Sequence, residues 1–482
     1  MSCISYIKPI YSAIAAPGAG KTETLLSSLP AIQKAGRLVI LALPTLALVD
    51  HIAERASRAS TPFRIMDHRN GELVVPKLEV ALRDKQDSFI ICTHEAIRRV
   101  QHSLLSGWIL VIDEVPKVLD YPDYALNPAE LSRVLDYAEE ANGQLWIKEE
   151  FKQDVRDQVN THRADLVGID CSTLGAPAAH IFRLLLDDVA VFIDKPQEDG
   201  IRHVRAVEEF LDWWSIFSFA GETHVLAANI VNSEFEVFAK LHGFTFKVSV
   251  FTPEARQYTS QVTIYPIMPK GQNFSKSKMI ASHGDSKLHD IALEVILNET
   301  GTKPLLFVNK WGRPKQQSKV QQVPIDCRGL NGYDSATEAI LMFGGNPSPS
   351  DSSGLEYLSI KYGKDLQLMQ NAFVTTRLLE PSLQAVTRTA IRRTDNTTPI
   401  ALFVQDERVV RYLKESYFSD AVIDWSLSEK IPVKPDGRKK LHPEQQNAVA
   451  LYHEKVPIKE IARRVKVSPK TIRNWIEKSL AA

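Results

Sequence analysis

Cysteine is scarce in this chain, and so is any excess of charge. Four cysteines (Cys3, Cys92, Cys171 and Cys327) are scattered over 482 residues. None of their spacings suits a zinc site, and together they make no disulfide framework. The expectation is a reducing compartment, the cytosol. Lys and Arg number 58, and so do Asp and Glu, so the formal net charge is zero. Overall charge therefore announces no nucleic-acid partner, and any basic surface must be local. No uninterrupted apolar run is long enough to span a bilayer. The N-terminus lacks the layout of a signal peptide, because a glycine-containing loop begins too early. What is left is ordinary: 44% hydrophobic and 24% charged residues, in a length that suits about three domains.

That early loop organises the chain. Ala15-Ala16-Pro17-Gly18-Ala19-Gly20-Lys21-Thr22 follows the apolar run Tyr11 to Ile14 and precedes a helical-looking run, Glu23 to Leu29. It fits the phosphate-binding loop pattern, with Ala15 in place of the usual first glycine. Small residues let the backbone turn its N–H groups toward an anion, and the next helix presents its positive end there. The candidate nucleotide-binding residues are Ala16, Pro17, Gly18, Ala19, Gly20, Lys21, Thr22 and Glu23. Lys21 is placed to reach the β- and γ-phosphates, and the Thr22 hydroxyl to ligate Mg²⁺. A bare glycine-rich turn is the bland alternative; the strand–loop–helix context argues against it.

Three further apolar runs read as buried parallel strands: Arg37 to Leu43, ending in Pro44-Thr45; Ser88 to Cys92, ending in Thr93-His94; and Trp108 to Ile112, ending in Asp113-Glu114. Strands alternating with helices imply a parallel α/β sheet, whose ligands bind beyond the carboxyl ends of the strands. Two acids at such an end suit metal-assisted hydrolysis. Asp113 would hold Mg²⁺ directly or through water, and Glu114 would serve as general base or orient the attacking water. An acidic helix cap is the alternative.

The ordered series of phosphate loop, Pro44-Thr45, Thr93-His94 and Asp113-Glu114-Val115-Pro116 resembles the first motor domain of the superfamily 2 helicases, the DEAD/DEAH-box-like group. Pro116 stands where that family usually has Asp or His, and no adenine-reading glutamine motif precedes the loop. The resemblance implies that Pro44, Thr45, Thr93 and His94 touch the nucleic-acid backbone. It continues through Ala227-Ala228-Asn229, a loose match to the motif that links hydrolysis to movement. Pro304 to Asn309 resembles the opening of a second motor domain, which begins around Val262. Asp326-Cys327-Arg328-Gly329-Leu330-Asn331 resembles the loop that senses both ligands, with Gly329 and Asn331 toward the nucleotide. Gln384, Arg388 and Arg392 resemble the sixth motif. Their spacing predicts one shared helix face. The resemblance implies that Arg392 is the arginine finger and Arg388 its support.

Two segments fall outside this pattern. Residues 115–222 read as an insertion, with amphipathic helices over Asn127–Glu140 and Glu149–Val159. In its aromatic segment, Phe210, Trp213, Trp214, Phe217 and Phe219 are either local core or a base-stacking surface. Residues 429–440 read as a basic linker. Beyond it, helices over Pro443–His453, Ile458–Val465 and Lys470–Lys478 resemble the helix-turn-helix of resolvases and transposases. Ser468 caps the third, with Pro469 at its first position. That helix would meet the major groove with Lys470, Thr471, Arg473 and Asn474. A three-helix protein-binding module is the alternative.

The expected architecture is α/β: two RecA-like motor domains, 1–250 and 251–428, then the linker and an all-α DNA-binding domain, 441–482. The resemblance implies an ATP- and Mg²⁺-dependent DNA helicase, with single-stranded DNA in the motor and duplex DNA at the tail. By analogy it would work with replication proteins of a virus or mobile element. A DNA-packaging or transposition ATPase and an ATP-switched DNA-binding regulator stay open.

Overall fold

A computed structural model describes residues 8–69, 73–165, 176–196, 200–254, 258–314, 318–327, 329–330, 332–434, 444–453 and 456–480. Contacts divide the chain into two units, Met1–Ile431 and Pro432–Ala482.

The first unit is built on two parallel sheets. Across the first, the strands run Phe246–Val248, Ile10–Ile14, Glu222–Ala227, Trp108–Asp113, Leu38–Leu43, Phe89–Thr93 and Arg64–Met66, all parallel. The continuous apolar runs are explained by burial on both faces. Ile40, Ala42, Ile90, Cys92, Leu110 and Ile112 join the core on one side. Val39, Leu41, Leu43, Phe89, Ile91, Ile109 and Val111 join the core on the other. The alternation follows the two-residue period of a strand. The second sheet runs Gln321–Val323, Leu305–Val308, Glu338–Met342, Ile400–Val404, Val262–Pro266 and Val422–Ile423, again all parallel.

Two helices from the later half of the sequence, Pro349–Tyr362 and Leu366–Val374, pack onto the first sheet. Leu355, Leu358, Met369, Ala372 and Phe373 share a core with Ile112 and Trp213. A Cβ at Gly354 would come within 2.1 Å of Val207, so only glycine fits that crossing.

Between Asp113 and the strand Glu222–Ala227 lies a small antiparallel sheet, ordered Asp123–Leu126, Arg202–Ala206, Val191–Ile193, Gln144–Ile147 and Ala138–Ala141. It has its own core, including Leu131, Val134, Leu145, Phe182 and Val204. The helix expected over Asn127–Glu140 is Pro128–Tyr137, begun by an Asn127–Glu130 capping box. Residues Ala138–Ala141 are a strand instead, because Asn142-Gly143 turns them back onto Gln144–Ile147. Both turn residues have positive φ, 53° and 75°, the geometry that two-residue hairpins favour. The second expected helix is a 3₁₀ turn, Glu149–Phe151, followed by Lys152–Asp165.

Within the aromatic segment Trp213, Trp214 and Phe217 are core, while Phe219 is exposed. Trp213 and Trp214 are 1% and 6% exposed. The Trp213 indole donates to the Lys117 carbonyl at 2.9 Å, and Trp214 stacks on His242 at 4.9 Å. Neither ring is available to a base. Cys92 and Cys327 are buried free thiols. Among the described residues no helix is long and apolar enough to cross a membrane.

The second unit contains helices Gln445–His453, Ile458–Arg464 and Pro469–Leu480. Ala448, Ile461, Ala462, Val465, Ile472 and Ile476 form its core. Lys466 turns the chain with φ 54°, where glycine is the usual choice. Ser468 caps the third helix, its hydroxyl accepting from the Thr471 N–H at 3.1 Å.

Candidate nucleotide site and nucleic-acid interface

The phosphate loop joins the strand Ile10–Ile14 to the helix Lys21–Lys34. Gly18 and Gly20 take φ of 81° and 93°, a conformation that a side chain would resist. The loop is anchored at its start and closed by an internal turn. The Ala15 N–H donates to the Ala227 carbonyl at 3.2 Å, and the Ala19 N–H to the Ala16 carbonyl at 3.0 Å. From the later half of the chain, the Tyr258 hydroxyl donates to the Pro17 carbonyl at 2.8 Å. Lys21 Nζ donates to the Ala15 carbonyl at 2.7 Å. Burial lowers its ammonium pKa, against the pull of Glu114 and Asp113. The side chain of Glu23, the last of the candidate nucleotide-binding residues, is exposed and paired with Arg55 of the helix Leu46–Arg58.

Asp113 ends a strand whose six residues are all buried. Its Oδ2 accepts from the Thr22 hydroxyl at 3.3 Å. Burial first, then the Glu114 charge, push its carboxyl up to about 7, against Lys21 and the Thr22 hydroxyl. A carboxylate and a hydroxyl together are hard oxygen donors of the kind Mg²⁺ takes. Among the described residues no group of three or more His, Cys, Asp or Glu could hold a metal ion. Mg²⁺ is usually held by one or two carboxylates together with substrate phosphates, and Asp113 and Thr22 are oxygen donors that suit it.

Glu114 occupies left-handed backbone at φ 65°, which costs a non-glycine residue on the order of 1–3 kcal/mol. Its N–H donates to the Leu226 carbonyl at 2.8 Å. Its Oε2 accepts from the Gln384 amide at 3.3 Å, across 270 residues of sequence.

Gln384, Arg388 and Arg392 do not share one helix face. The helix Glu380–Val386 stops two residues after Gln384, and Arg392 ends a separate 3₁₀ turn, Ala390–Arg392. At the helix end the Arg388 and Thr389 N–H groups turn to the Ala385 and Val386 carbonyls, and the Thr387 and Thr389 hydroxyls donate to the Leu383 and Val386 carbonyls. Such local bonds compete with the helical ladder. The sixth-motif side chains nonetheless reach the cleft. A methyl group on Gly18 would touch Arg392 Cγ at 3.7 Å. Burial, then the neighbouring Arg388 charge, pull the Arg392 guanidinium down to about 10. Arg388 donates to the Leu330 carbonyl at 2.7 Å, bracing the fifth-motif loop.

In that loop Gly329 has φ 74°, and a Cβ would lie 2.6 Å from Leu48 Cγ. Gly329 thus packs against the helix that follows Pro44-Thr45. Gly329→Ala should lower stability by about 1–3 kcal/mol, read as a drop in the thermal unfolding midpoint. Arg328 and Asn331 lie outside the described residues.

The candidate nucleic-acid residues end adjacent strands. Leu43 is in register with Thr93, and Ala42 with both Cys92 and Ile112. Pro44-Thr45, Thr93-His94 and Asp113-Glu114 therefore sit along one edge. The Thr45 and Thr93 hydroxyls cap the helices that follow, accepting from the Leu48 and Ala96 N–H groups. A His94 ring nitrogen lies 3.1 Å from the Asp113 carbonyl, and the ring meets Trp213 edge-on. In the second unit, Lys470 and Arg473 are exposed and Thr471 is half-buried; the Asn474 side chain lies outside the described residues.

Sequence reasoning missed two groups. Glu380 lies within the cleft, where burial pushes its carboxyl up to about 7. Glu234 is 3% exposed and accepts from the Tyr121 hydroxyl at 2.7 Å. Burial also raises its carboxyl to about 7. With Glu114, Arg377 and Gln384, the two acids line a cavity of about 340 Å³. The only sequence signal for Glu380 was its place four residues before Gln384, one turn away on the same helix face.

A family model for the helix-turn-helix domain of resolvase matches residues 437–473. No curated protein matches the chain. Among solved structures, S. tokodaii Xpd4 aligns over 86% of this chain and 96% of its own, with 12% identity and a TM-score of 0.51. A structure described as an XPD helicase aligns over the same shares at 12% identity, with a TM-score of 0.52. At such identity the likeness establishes the fold.

Proposed function

We propose that this chain, which has the fold of the superfamily 2 helicases and carries a resolvase-type helix-turn-helix, is an ATP-driven DNA helicase or translocase. One observation carries the reading: Lys21, Thr22, Asp113 and Glu114 of the first sheet meet Gln384 and Arg392 from the later half of the chain. That is the arrangement phosphoryl transfer to water needs. Lys21 and the loop N–H groups would hold the phosphates, and Glu114 would take a proton from the attacking water. Arg392 would stabilise the charge that develops on the transferred group. Thr22 and Asp113 would hold Mg²⁺, which supplies neutralisation of phosphate charge. Since the residues come from two sheets, turnover would change how the sheets fit together. Strand ends carrying Thr45 and Thr93 would then shift along one DNA strand.

The tail would recruit the motor to duplex sites, in replication of a virus or mobile element by analogy with other motors joined to a sequence reader. Strand displacement beside triplex displacement tests the motor. A helicase releases a strand from a duplex; a packaging or transposition ATPase displaces only the third strand of a triplex.

Removing the chain from Arg438 onward should separate two activities. DNA-stimulated hydrolysis should survive, while selective, salt-sensitive duplex binding is lost. Arg473→Ala should cost roughly 1–3 kcal/mol at a preferred site. The check is a binding titration against a randomised duplex pool at two salt concentrations. Equal selection by the truncated protein would assign the tail to protein docking.

A further inference from the structure

Four consecutive residues at the end of the strand Glu222–Ala227 each hold a different part of the cleft. The Leu226 carbonyl takes the Glu114 N–H, and the Ala227 carbonyl takes the Ala15 N–H of the phosphate loop. The Ala228 carbonyl takes the Tyr417 hydroxyl. Asn229 Nδ2 donates to the Tyr412 hydroxyl at 3.0 Å. Tyr412 then donates to Glu380 Oε1. Glu380 begins the helix that carries Gln384, the partner of Glu114. A closed circuit results: Glu114, Leu226–Asn229, Tyr412, Glu380, Gln384, and back to Glu114. Three of its members, Glu380, Gln384 and Tyr412, belong to the later half of the chain, and Tyr412 is 183 residues from Asn229.

We propose that Glu380 is a positioning residue, acting together with Tyr412 on Asn229, that links DNA-driven closure of the two sheets to the placement of Glu114. The inference rests on the motor reading above. Glu380 and Tyr412 need not touch nucleotide. The pair fixes the later half against the one strand end that also anchors Glu114 and the phosphate loop. When the sheets separate, the Tyr412 bond breaks and Glu114 loses the Gln384 amide that orients it. When DNA holds the sheets together, both bonds form at once. Stimulation by DNA therefore depends on the Tyr412 hydroxyl and on an acceptor at position 380, and not on a charge there.

The test is steady-state ATP hydrolysis by the full-length chain, with no DNA and with saturating single-stranded DNA. The variants are Tyr412→Phe, Glu380→Gln, Glu380→Ala and the double variant Tyr412→Phe/Glu380→Ala. Tyr412→Phe should keep its basal turnover and its KM for ATP, while stimulation by DNA falls roughly tenfold, the scale of a typical coupling between sites. Glu380→Gln should retain most of the stimulation, because its amide oxygen still accepts the hydroxyl. Glu380→Ala should lose it, and the double variant should be no worse than Glu380→Ala, as expected of residues acting as one unit. Wild-type stimulation in Tyr412→Phe, a parallel fall of basal and stimulated rates, or additive losses in the double variant would overturn the relay alone. A wild type whose hydrolysis ignores DNA overturns the motor reading and the relay with it.

Discussion

Glu114→Gln should bind ATP as the wild type does and lose turnover by roughly 10²–10⁴-fold. The substitution keeps the side chain's size and one acceptor oxygen, so the left-handed turn at Glu114 and the Gln384 contact can persist. It removes the group that can accept a proton from water. Lys21→Ala should fail earlier, at binding. Its ammonium feels the pull of Glu114 and Asp113, and without it those acids face incoming phosphates with no cation between. Nucleotide-binding titrations and hydrolysis rates, read together, separate the two defects. Wild-type-like turnover in Glu114→Gln would remove Glu114 from the chemistry.

Arg392→Ala should leave nucleotide affinity nearly intact while cutting kcat by about 10³–10⁵-fold. The side chain lies over Gly18, where charge on a transferred phosphoryl group would grow. A guanidinium there matters more in the transition state than in the ground state. Arg392→Lys should recover little, since a point charge does not reproduce the planar fork. Arg388→Ala should act differently. Its guanidinium braces the Leu330 carbonyl, so loss of the loop should raise KM as well as lower kcat. Normal hydrolysis by Arg392→Ala would reduce the sixth-motif match to a coincidence of spacing.

Much of this arrangement could be read from residues because its signals are local. A strand buried on both faces is an apolar run, and Trp108–Asp113 is one, with its acid at the carboxyl end. A phosphate loop needs glycine where φ is positive, and Gly18 and Gly20 supply it. Ser468-Pro469 marks the start of the third tail helix for similar local reasons. Other features were illegible because distant partners decide them. Tyr412 and Glu380 matter through Asn229 and the cleft, and nothing in either flanking sequence reports that. The helices Pro349–Tyr362 and Leu366–Val374 place Leu355, Leu358, Met369, Ala372 and Phe373 in a core that lies on the earlier sheet.

Two misreadings had local causes that were open to view. Asn142-Gly143, just past the helix expected over Asn127–Glu140, is a strong hairpin signal, and it turns Ala138–Ala141 back as a strand. Thr387 and Thr389 lie between Gln384 and Arg392, where the helix that spacing alone would continue stops at Val386 and their hydroxyls bond local carbonyls instead. The sixth-motif contacts survive because a turn can also deliver Arg392 to Gly18.

The central claim is that hydrolysis in this cleft is geared to DNA held across two sheets. ATP turnover by the full-length protein, measured alone and then with single-stranded DNA, duplex DNA or RNA, tests it most directly. The account predicts slow turnover alone and a marked rise in kcat with single-stranded DNA, abolished in Glu114→Gln. Turnover that is the same in all four conditions would contradict it, and would favour an ATP-switched DNA-binding regulator.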